Sequence, residues 1–229
     1  MLRRTALPLA LTAAAVLLAA CGGSSTKSES PTHAIAAAKK AFDTTSGVDV
    51  SLTGKDLPSN GALVSAAGTL TRAPAFDGKI AVKVLGTVAQ VPVISVDDKV
   101  YAKLPLTVHW QTIDPSQYGV PDPASLIAPE TGISRLLTDT TGLKSHGSER
   151  GGRDNKEILT TYAGTLPGSA VATIISSATG DFAVTYTLGD KDRLEQAELT
   201  GHFYGTSQKA STYVVTLDDY GVDKTIKAP

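Results

Sequence analysis

The side chains that most often carry out catalysis or bind metals are scattered along this chain. Its four histidines, His33, His109, His146 and His202, fall in a predicted helix start, a loop, a hairpin and a strand, without the spacing of a metal site. The Gly-x-Ser-x-Gly segment of a hydrolase nucleophile turn is absent from the sequence. A Ser-His-Asp site, whose members would meet only in the fold, stays open. We predict no catalytic residue, no metal site, no cofactor and no enzyme activity.

Two acidic pairs could serve acid–base chemistry or hold a cation. Asp97-Asp98 and Asp218-Asp219 each stand beside the end of a predicted strand. Aspartate is a common turn residue at such places, because its side chain bonds to the nearby backbone. We therefore interpret both pairs as turns.

The clearest chemistry belongs to the thiol of Cys21, the only cysteine. It follows Leu18-Ala19-Ala20 at the end of a short apolar run that begins behind two arginines. This order of basic, apolar and small residues is that of a secretory signal, and its last four residues resemble the lipobox of bacterial lipoproteins. The resemblance implies that residues 1–20 are a lipoprotein signal peptide, that the chain is cut before Cys21, and that its thiol receives a diacylglycerol. The alternative is an ordinary secretory signal followed by a stray cysteine.

The anchor determines how the rest of the chain is organised. The apolar run is shorter than the roughly 20 residues that cross a bilayer, and no later run reaches that length. Residues 21–31 are then the acylated cysteine and a flexible tether rich in Gly and Ser. Residues 32–229 form a single domain. We predict a lipid-anchored protein at the extracytoplasmic face of the cell membrane, with a shed form in the cell wall as a further state.

Composition excludes several classes of partner and site. Removal of Arg3 and Arg4 with the signal lowers the 21 basic residues to 19 against 22 acidic ones, a formal charge of −3. The remaining basic residues are dispersed, so the chain lacks the basic stripe of a nucleic-acid-binding protein. With Cys21 acylated, the domain has no thiol left for a disulfide or a thiolate metal site. We predict no nucleic-acid partner.

Hydrophobic periodicity predicts the elements of this domain. A helix is expected to begin at Thr32 and to end before Gly47, and further helices are expected at 122–126, 132–139 and 167–177. Most other segments alternate apolar and polar residues with a period of two, which predicts half-buried strands joined by short turns. The pattern indicates an α+β fold with a large antiparallel sheet and a few helices on one side.

The middle of the chain is similar to a known family. The residues are Val100-Tyr101-Ala102-Lys103-Leu104, Trp110, the run from Asp122 to Ile133 (DPASLIAPETGI), and Leu136-Leu137. They resemble the LppX/LprA/LprF/LprG family of mycobacterial envelope lipoproteins, with its LprG branch nearest. The resemblance implies a strongly curved antiparallel half-barrel, with helices packed on its concave face, enclosing an apolar cavity.

The resemblance also implies the function. Members are regarded as carriers, not enzymes, of triacylglycerol, phosphatidylinositol mannosides and related lipoglycans, or phthiocerol-type lipids. The implied partners are an acylated lipid or glycolipid, the membrane through the Cys21 anchor, and, as an open point, a membrane transporter. A chain of roughly 16 carbons forgoes about 13 kcal/mol on entering water, so it needs an apolar carrier to cross an aqueous gap.

Alternation indicates which side chains point inward, although a shift of one residue would reverse a whole strand. We predict that the cavity is lined by Ile80, Val82, Val84, Val91 and Val93 from the first strands, by Val184, Tyr186, Leu199 and Val215 from the last strands, and by Ile133, Leu136, Leu137 and Ile174 from the helices.

The composition leaves a second hypothesis open. Small and β-branched apolar residues dominate the inward positions, and aromatic residues make up 5% of the chain. Such residues leave room for a lipid, but they also build plain cores. The alternative is therefore a structural or interaction lipoprotein of the envelope with a filled core and no lipid cargo.

Overall fold

Long stretches of alternating apolar and polar residues form the strands of this protein. The computed structural model describes residues 30–229, so Cys21 and the predicted signal lie outside the described residues. The strands are β1 (Gly47–Lys55), β2 (Leu63–Thr71), β3 (Ala75–Val84), β4 (Thr87–Val96), β5 (Lys99–Ala102), β6 (Gln111–Ile113), β7 (Thr141–Gly151), β8 (Glu157–Leu166), β9 (Thr179–Leu188), β10 (Leu194–His202) and β11 (Ser211–Asp218).

These strands form one antiparallel sheet of 11 strands in the order β6-β5-β4-β3-β2-β1-β11-β10-β9-β8-β7. Two consecutive meanders, β1 to β6 and β7 to β11, are joined where β1 pairs with β11. The edge strands β6 and β7 do not pair with each other, so over residues 30–229 the sheet does not close into a barrel. The predicted α+β class with a large antiparallel sheet is confirmed. The strands and the core that the structure describes lie within residues 30–229, and that this range folds as a single domain stays a prediction.

Cross-strand pairing defines one face of the sheet, which we call the inner face. In the centre of the sheet, Leu52 pairs with Val215, Val215 with Ala197, and Ala197 with Tyr186. Residues directly opposite each other in antiparallel strands point to the same side. These four side chains therefore share the inner face, and the helices cover it.

The first helix, α1 (Pro31–Thr44), begins one residue before the predicted Thr32. Ser30 is its N-cap, because the Ser30 hydroxyl accepts a hydrogen bond from the backbone N–H of His33 at 3.3 Å. Proline occupies the first helical position, where no N–H is needed. The helix buries Ala34, Ile35, Ala38 and Phe42 in the core.

Two shorter helices, α2 (Ile133–Asp139) and α3 (Gly168–Val171), lie in the second half of the chain. The predicted helix over 167–177 is wrong beyond Val171, where the chain continues in single turns, such as the one closed by the Ile174 N–H on the Val171 carbonyl at 2.9 Å. Val171, Thr173, Ile174 and Ile175 are β-branched, and such residues lose side-chain freedom in a helix. None of the helices in the described part of the chain is long and apolar enough to span a membrane.

The predicted helix at 122–126 is a 3₁₀ turn, Pro123–Ile127. Asp122 caps it as expected: its carboxylate accepts a hydrogen bond from the Ala124 N–H at 2.8 Å and another from the buried Ser95 hydroxyl of β4. This turn is thereby fixed to the sheet. Further 3₁₀ segments are Pro115–Tyr118, Arg153–Asn155 and Asp190–Asp192.

The guanidinium of Arg72, just after β2, joins three segments. Its Nε donates to the carbonyl of Thr45 at 3.2 Å, one terminal nitrogen to that of Ile127 at 2.6 Å, and the other to that of Phe42 at 2.7 Å. These carbonyls lie at the ends of α1 and of the 3₁₀ turn, where few N–H groups of the same helix are left to bind them. Arg72 therefore holds the helical layer against the end of the sheet.

Candidate functional site

An apolar pocket of about 120 Å³ lies between the inner face and the helices, and we call it the inner pocket. The side chains that line it are Phe42, Leu52, Leu63, Ile133, Ser134, Leu136, Leu137, Val171, Ile174, Ile175, Tyr186, Leu194, Ala197, Leu199, Phe203, Tyr213, Val215 and Leu217. A pocket of this composition can hold hydrocarbon and offers almost no polar group to a ligand.

The sheet wall of the pocket leaves space because its central position is small. Ala197 of β10 lies between Tyr186 of β9 and Val215 of β11 in the register of the sheet. An alanine at the centre of a packed layer leaves room that a leucine would fill. The aromatic rings of Phe203 and Tyr213, with centroids 4.8 Å apart and nearly perpendicular planes, also line the pocket.

The helical wall keeps its polar groups satisfied. The hydroxyl of Ser134 in α2 donates to a carboxylate oxygen of Asp43 at 2.7 Å, and Lys39 forms an ion pair with the other oxygen at 2.5 Å. No buried side-chain polar atom in the part of the chain that the structure describes is left without a hydrogen-bond partner. The wall therefore presents its apolar atoms to the pocket.

Tyr186 connects the sheet wall to α2. Its hydroxyl lies 2.7 Å from the hydroxyl of Thr140 and donates towards the carbonyl of Leu136 at 3.3 Å. Burial raises the pKa of Tyr186 to about 12. The phenol therefore stays protonated at neutral pH, and its hydrogen bonds act as a latch between sheet and helix.

Replacement of Tyr186 by phenylalanine tests this latch. Tyr186→Phe removes the hydroxyl and leaves the buried Thr140 hydroxyl with one partner fewer. We expect the free energy of unfolding to fall by about 1 kcal/mol, the usual net worth of a buried hydrogen bond. Urea unfolding followed by circular dichroism measures it, and an unchanged midpoint would contradict the latch.

The structure brings together one group of the predicted lining residues. Those at the inner pocket are Tyr186, Leu199, Val215, Ile133, Leu136, Leu137 and Ile174. The others, Ile80, Val82, Val84, Val91, Val93 and Val184, do not line it. Contact of any of them with lipid stays a prediction.

The residues outside the pocket nevertheless lie on the inner face. Leu52 pairs with Ala66, Ala66 with Ile80, and Ile80 with Val91, so the face continues into the first meander. Val84 is at its margin and is 50% exposed. The helices thus cover the second meander more fully than the end of the first.

Several pocket residues were missed by sequence reasoning. Leu52 in β1 and Tyr213 and Leu217 in β11 follow the same alternation that identified Val215, so their period was a usable signal. Ile175 follows Val171 and Ile174 on one side of the predicted helix, and Phe203 ends a predicted strand, so both also had a usable pattern. The structure places both residues in turns instead.

The residues considered for catalysis do not converge. Asp97 and Asp98 form the β4–β5 turn with φ of 53° and 56°, and Asp219 follows β11 with φ of 46°, as expected of turn residues. His202 contacts the Gln208 carbonyl through Nδ1 at 3.1 Å. Among residues 30–229, no group of three or more His, Cys, Asp and Glu side chains is placed to hold a metal ion.

One acidic group has an altered titration. Burial, a hydrogen bond with Glu157 and the nearby charges of Glu157, Asp218 and Asp190 raise the pKa of Glu195 to about 7. Glu195 lies at the bulge at the start of β10 and does not line the inner pocket, although its neighbour Leu194 does. Its effect is therefore on stability.

Glu195→Gln should remove a pH dependence. The folded state keeps a proton on Glu195 that the unfolded state releases near pH 4.5, so this residue destabilises the fold as pH rises from about 4.5 to about 7. We expect Glu195→Gln to stabilise the fold at pH 8 by about 1 kcal/mol, allowing for solvent screening. At pH 4 the effect should vanish. Thermal unfolding at both pH values measures it, with Glu198→Gln on the same strand as control, and an equal gain in both variants would count against it.

The sequence matches a family of lipoproteins, and the fold is similar to two solved structures. The family model described as LppX_LprAFG lipoprotein matches residues 30–227. The fold is similar to that of LprF from Mycobacterium bovis, with a TM-score of 0.71, 15% identity, and coverage of 87% of this chain and 96% of that chain. It is also similar to the lipoprotein LppX of Mycobacterium tuberculosis, with a TM-score of 0.61, 18% identity, and coverage of 86% and 98%. Among curated protein sequences, none matches this chain. At these identities, the two structures show a shared fold.

Proposed function

Because the chain belongs to the LppX_LprAFG lipoprotein family, we propose that it is a membrane-anchored lipoprotein that binds an acylated lipid or glycolipid between its sheet and its helices. Triacylglycerol and phosphatidylinositol mannosides or lipoglycans are the cargo classes, and the protein carries them across the cell envelope. Within the family, closeness to LprG stays a prediction. No catalytic step is part of the proposal.

The observation that carries this proposal is the inner pocket. It is lined by apolar side chains, and its few polar atoms, such as the hydroxyls of Ser134 and Tyr186, already have partners within the protein. A hydrocarbon chain entering it would desolvate no unpaired polar group. Each methylene moved from water into such a site contributes roughly 0.8 kcal/mol.

The size of the pocket defines what loading requires. Its volume of about 120 Å³ is below the roughly 300–1,000 Å³ of most ligand pockets. We infer that α2 and α3 move away from the sheet when an acyl chain enters. The cavity then extends along the inner face towards Ile80, Val82 and Val91, and the sheet forms the curved half-barrel that the family resemblance implies.

The anchor in this proposal is Cys21, which precedes the described residues. The acyl chains on its thiol hold the domain at the extracytoplasmic face of the membrane, and a tether of about ten residues spans at most roughly 35 Å. The domain therefore works next to its source of lipid. A membrane transporter as partner and a shed form in the cell wall belong to the same proposal.

A transfer assay tests the carrier function. Donor vesicles containing fluorescent triacylglycerol are mixed with unlabelled acceptor vesicles, with or without a protein of residues 30–229 whose folding is first verified by circular dichroism. We expect the protein to accelerate transfer in proportion to its concentration, because a closed apolar site replaces the passage of the free chain through water. A rate equal to that of vesicles alone would contradict the proposal.

The small volume of the pocket favours one alternative. A structural or interaction lipoprotein with a filled core would also show a residual pocket of this size. It would bind no acyl chain, and its unfolding would be insensitive to added lipid. Transfer above the background rate would exclude this alternative.

A further inference from the structure

Two loops of the first meander project large apolar side chains into solvent towards the same end of the sheet. Leu85 stands at the tip of the β3–β4 hairpin and is 87% exposed, and Leu106 in the β5–β6 loop is fully exposed. β4 and β5 are antiparallel neighbours, so both loops point towards the same end of the first meander, with the β5–β6 loop beginning beside Val93 and the hairpin tip lying beyond Thr87. Val84, Val88 and Val108 are exposed beside them. We call these five residues the apolar tips.

Leu85 and Leu106 both have a backbone conformation that is unusual for leucine. Leu85 has φ of 49° and Leu106 has φ of 67°. This left-handed conformation suits Gly and Asn, and it is unfavourable for a bulky side chain. Leucine at these positions therefore helps neither the turns nor the core. Strain of this kind is retained where the side chain has a role outside the fold.

The hairpin tip is held in place. The Leu85 N–H donates to the side-chain oxygen of Asn60 at 2.8 Å, and the carbonyl of Lys83 accepts from the Gly61 N–H at 2.8 Å. The β1–β2 loop thus fixes the tip from one side. Leu85 is presented to solvent by a defined turn.

The two segments that carry the apolar tips have charges of one sign, and Asp56 is the acidic residue of the adjoining β1–β2 loop. Residues 78–96 and 99–113 contain no Asp or Glu, although the whole chain has a formal charge of −1. Lys83 adjoins the hairpin tip, and Lys103 begins the β5–β6 loop. Apolar side chains flanked by lysines match an anionic lipid surface, where the chains enter the interface and the ammonium groups meet the headgroups.

We propose that the apolar tips are a docking surface for an anionic bilayer, distinct from the predicted anchor at Cys21. Leu85 and Leu106 insert among the acyl chains, and Lys83 and Lys103 contact the lipid phosphates. Leu63, which lines the inner pocket, begins β2 at this same end of the sheet. Docking therefore turns this end of the pocket towards the membrane. Binding of the apolar tips to a bilayer does not require that the protein carries the proposed lipid cargo.

Vesicle flotation tests this surface. A protein of residues 30–229, which lacks the predicted anchor and whose folding is first verified by circular dichroism, is mixed with vesicles of phosphatidylcholine containing or lacking phosphatidylglycerol. We expect flotation with the anionic vesicles and a loss of roughly tenfold or more in partitioning for Leu85→Asn/Leu106→Asn, because two leucines no longer enter the interface. Asparagine accepts left-handed backbone, so the variant should unfold at the same or a higher temperature than the original chain.

The matched control is Ile158→Asn. Ile158 is 48% exposed at the start of β8, at the opposite end of the sheet, and its replacement should leave flotation unchanged. Lys83→Gln/Lys103→Gln should weaken binding to anionic vesicles only. Equal flotation of the double leucine variant and the original chain would overturn the proposal. So would absence of flotation together with a dimer, in sedimentation, that the leucine variant abolishes, because the tips would then bind a second copy.

Discussion

Val215→Trp should empty the protein of lipid while leaving it folded. Val215 projects from β11 into the inner pocket beside Ala197, and the larger indole would occupy space meant for an acyl chain. Each displaced methylene forgoes about 0.8 kcal/mol, so the loss of two already lowers affinity about tenfold. We expect lipid occupancy, measured by extraction and mass spectrometry, to fall at least that far. The added bulk should lower the free energy of unfolding by about 1–3 kcal/mol.

The neighbouring residue provides the control for this result. Val214 is half-buried like Val215, but it projects from the opposite face of the same strand. Val214→Trp carries the same change in side chain and should keep full lipid occupancy. Equal occupancy in the two variants would show that the inner pocket does not hold the lipid.

Arg72→Met should cause the largest loss of stability among the changes considered. The substitution keeps much of the aliphatic stem and removes three hydrogen bonds, to the carbonyls of Phe42, Thr45 and Ile127. Hydrogen bonds from a charged donor contribute about 1.5–3 kcal/mol each when buried. Because Arg72 is partly exposed, we expect a total loss of about 3 kcal/mol, measured as a lower midpoint of urea unfolding.

Arg135→Met separates this effect from the loss of any arginine. Arg135 lies in α2, where its side chain is 53% exposed and contacts Asp139 at 3.2 Å and the Glu130 carbonyl at 3.3 Å. Exposed ion pairs of this kind contribute little, so we expect a change of about 0.5 kcal/mol. A loss for Arg72→Met no larger than this would contradict its role in holding the helical layer.

The sheet was predictable because its sequence alternates. Ile80, Val91, Tyr186 and Val215, assigned inward from period two alone, share the inner face through an unbroken set of cross-strand pairs. The turn at Asp97-Asp98 was also predictable, since aspartate tolerates the positive φ found there. Local chemistry determines these features, so a single sequence reveals them.

The extent of the pocket was not predictable, because it depends on where the helices lie. Ile80 and Val91 are apolar and lie on the inner face, but they do not line the pocket, because α2 and α3 lie over the second meander. A helix was predicted over 167–177, but α3 ends at Val171, before a run of β-branched residues. Ile174 and Ile175 therefore lie in turns. Packing between distant segments decides both results, and no local pattern carries that information.

The central claim is that this protein carries an acylated lipid in its interior, and native mass spectrometry tests it most directly. The full chain is made in a mycobacterial host, and its mass is measured under native and then denaturing conditions. The denatured mass contains any covalent lipid on Cys21, so the difference between the two masses is the non-covalent cargo. We predict a difference equal to one acylated lipid, which Val215→Trp loses. A folded protein whose native and denatured masses are equal would contradict the account.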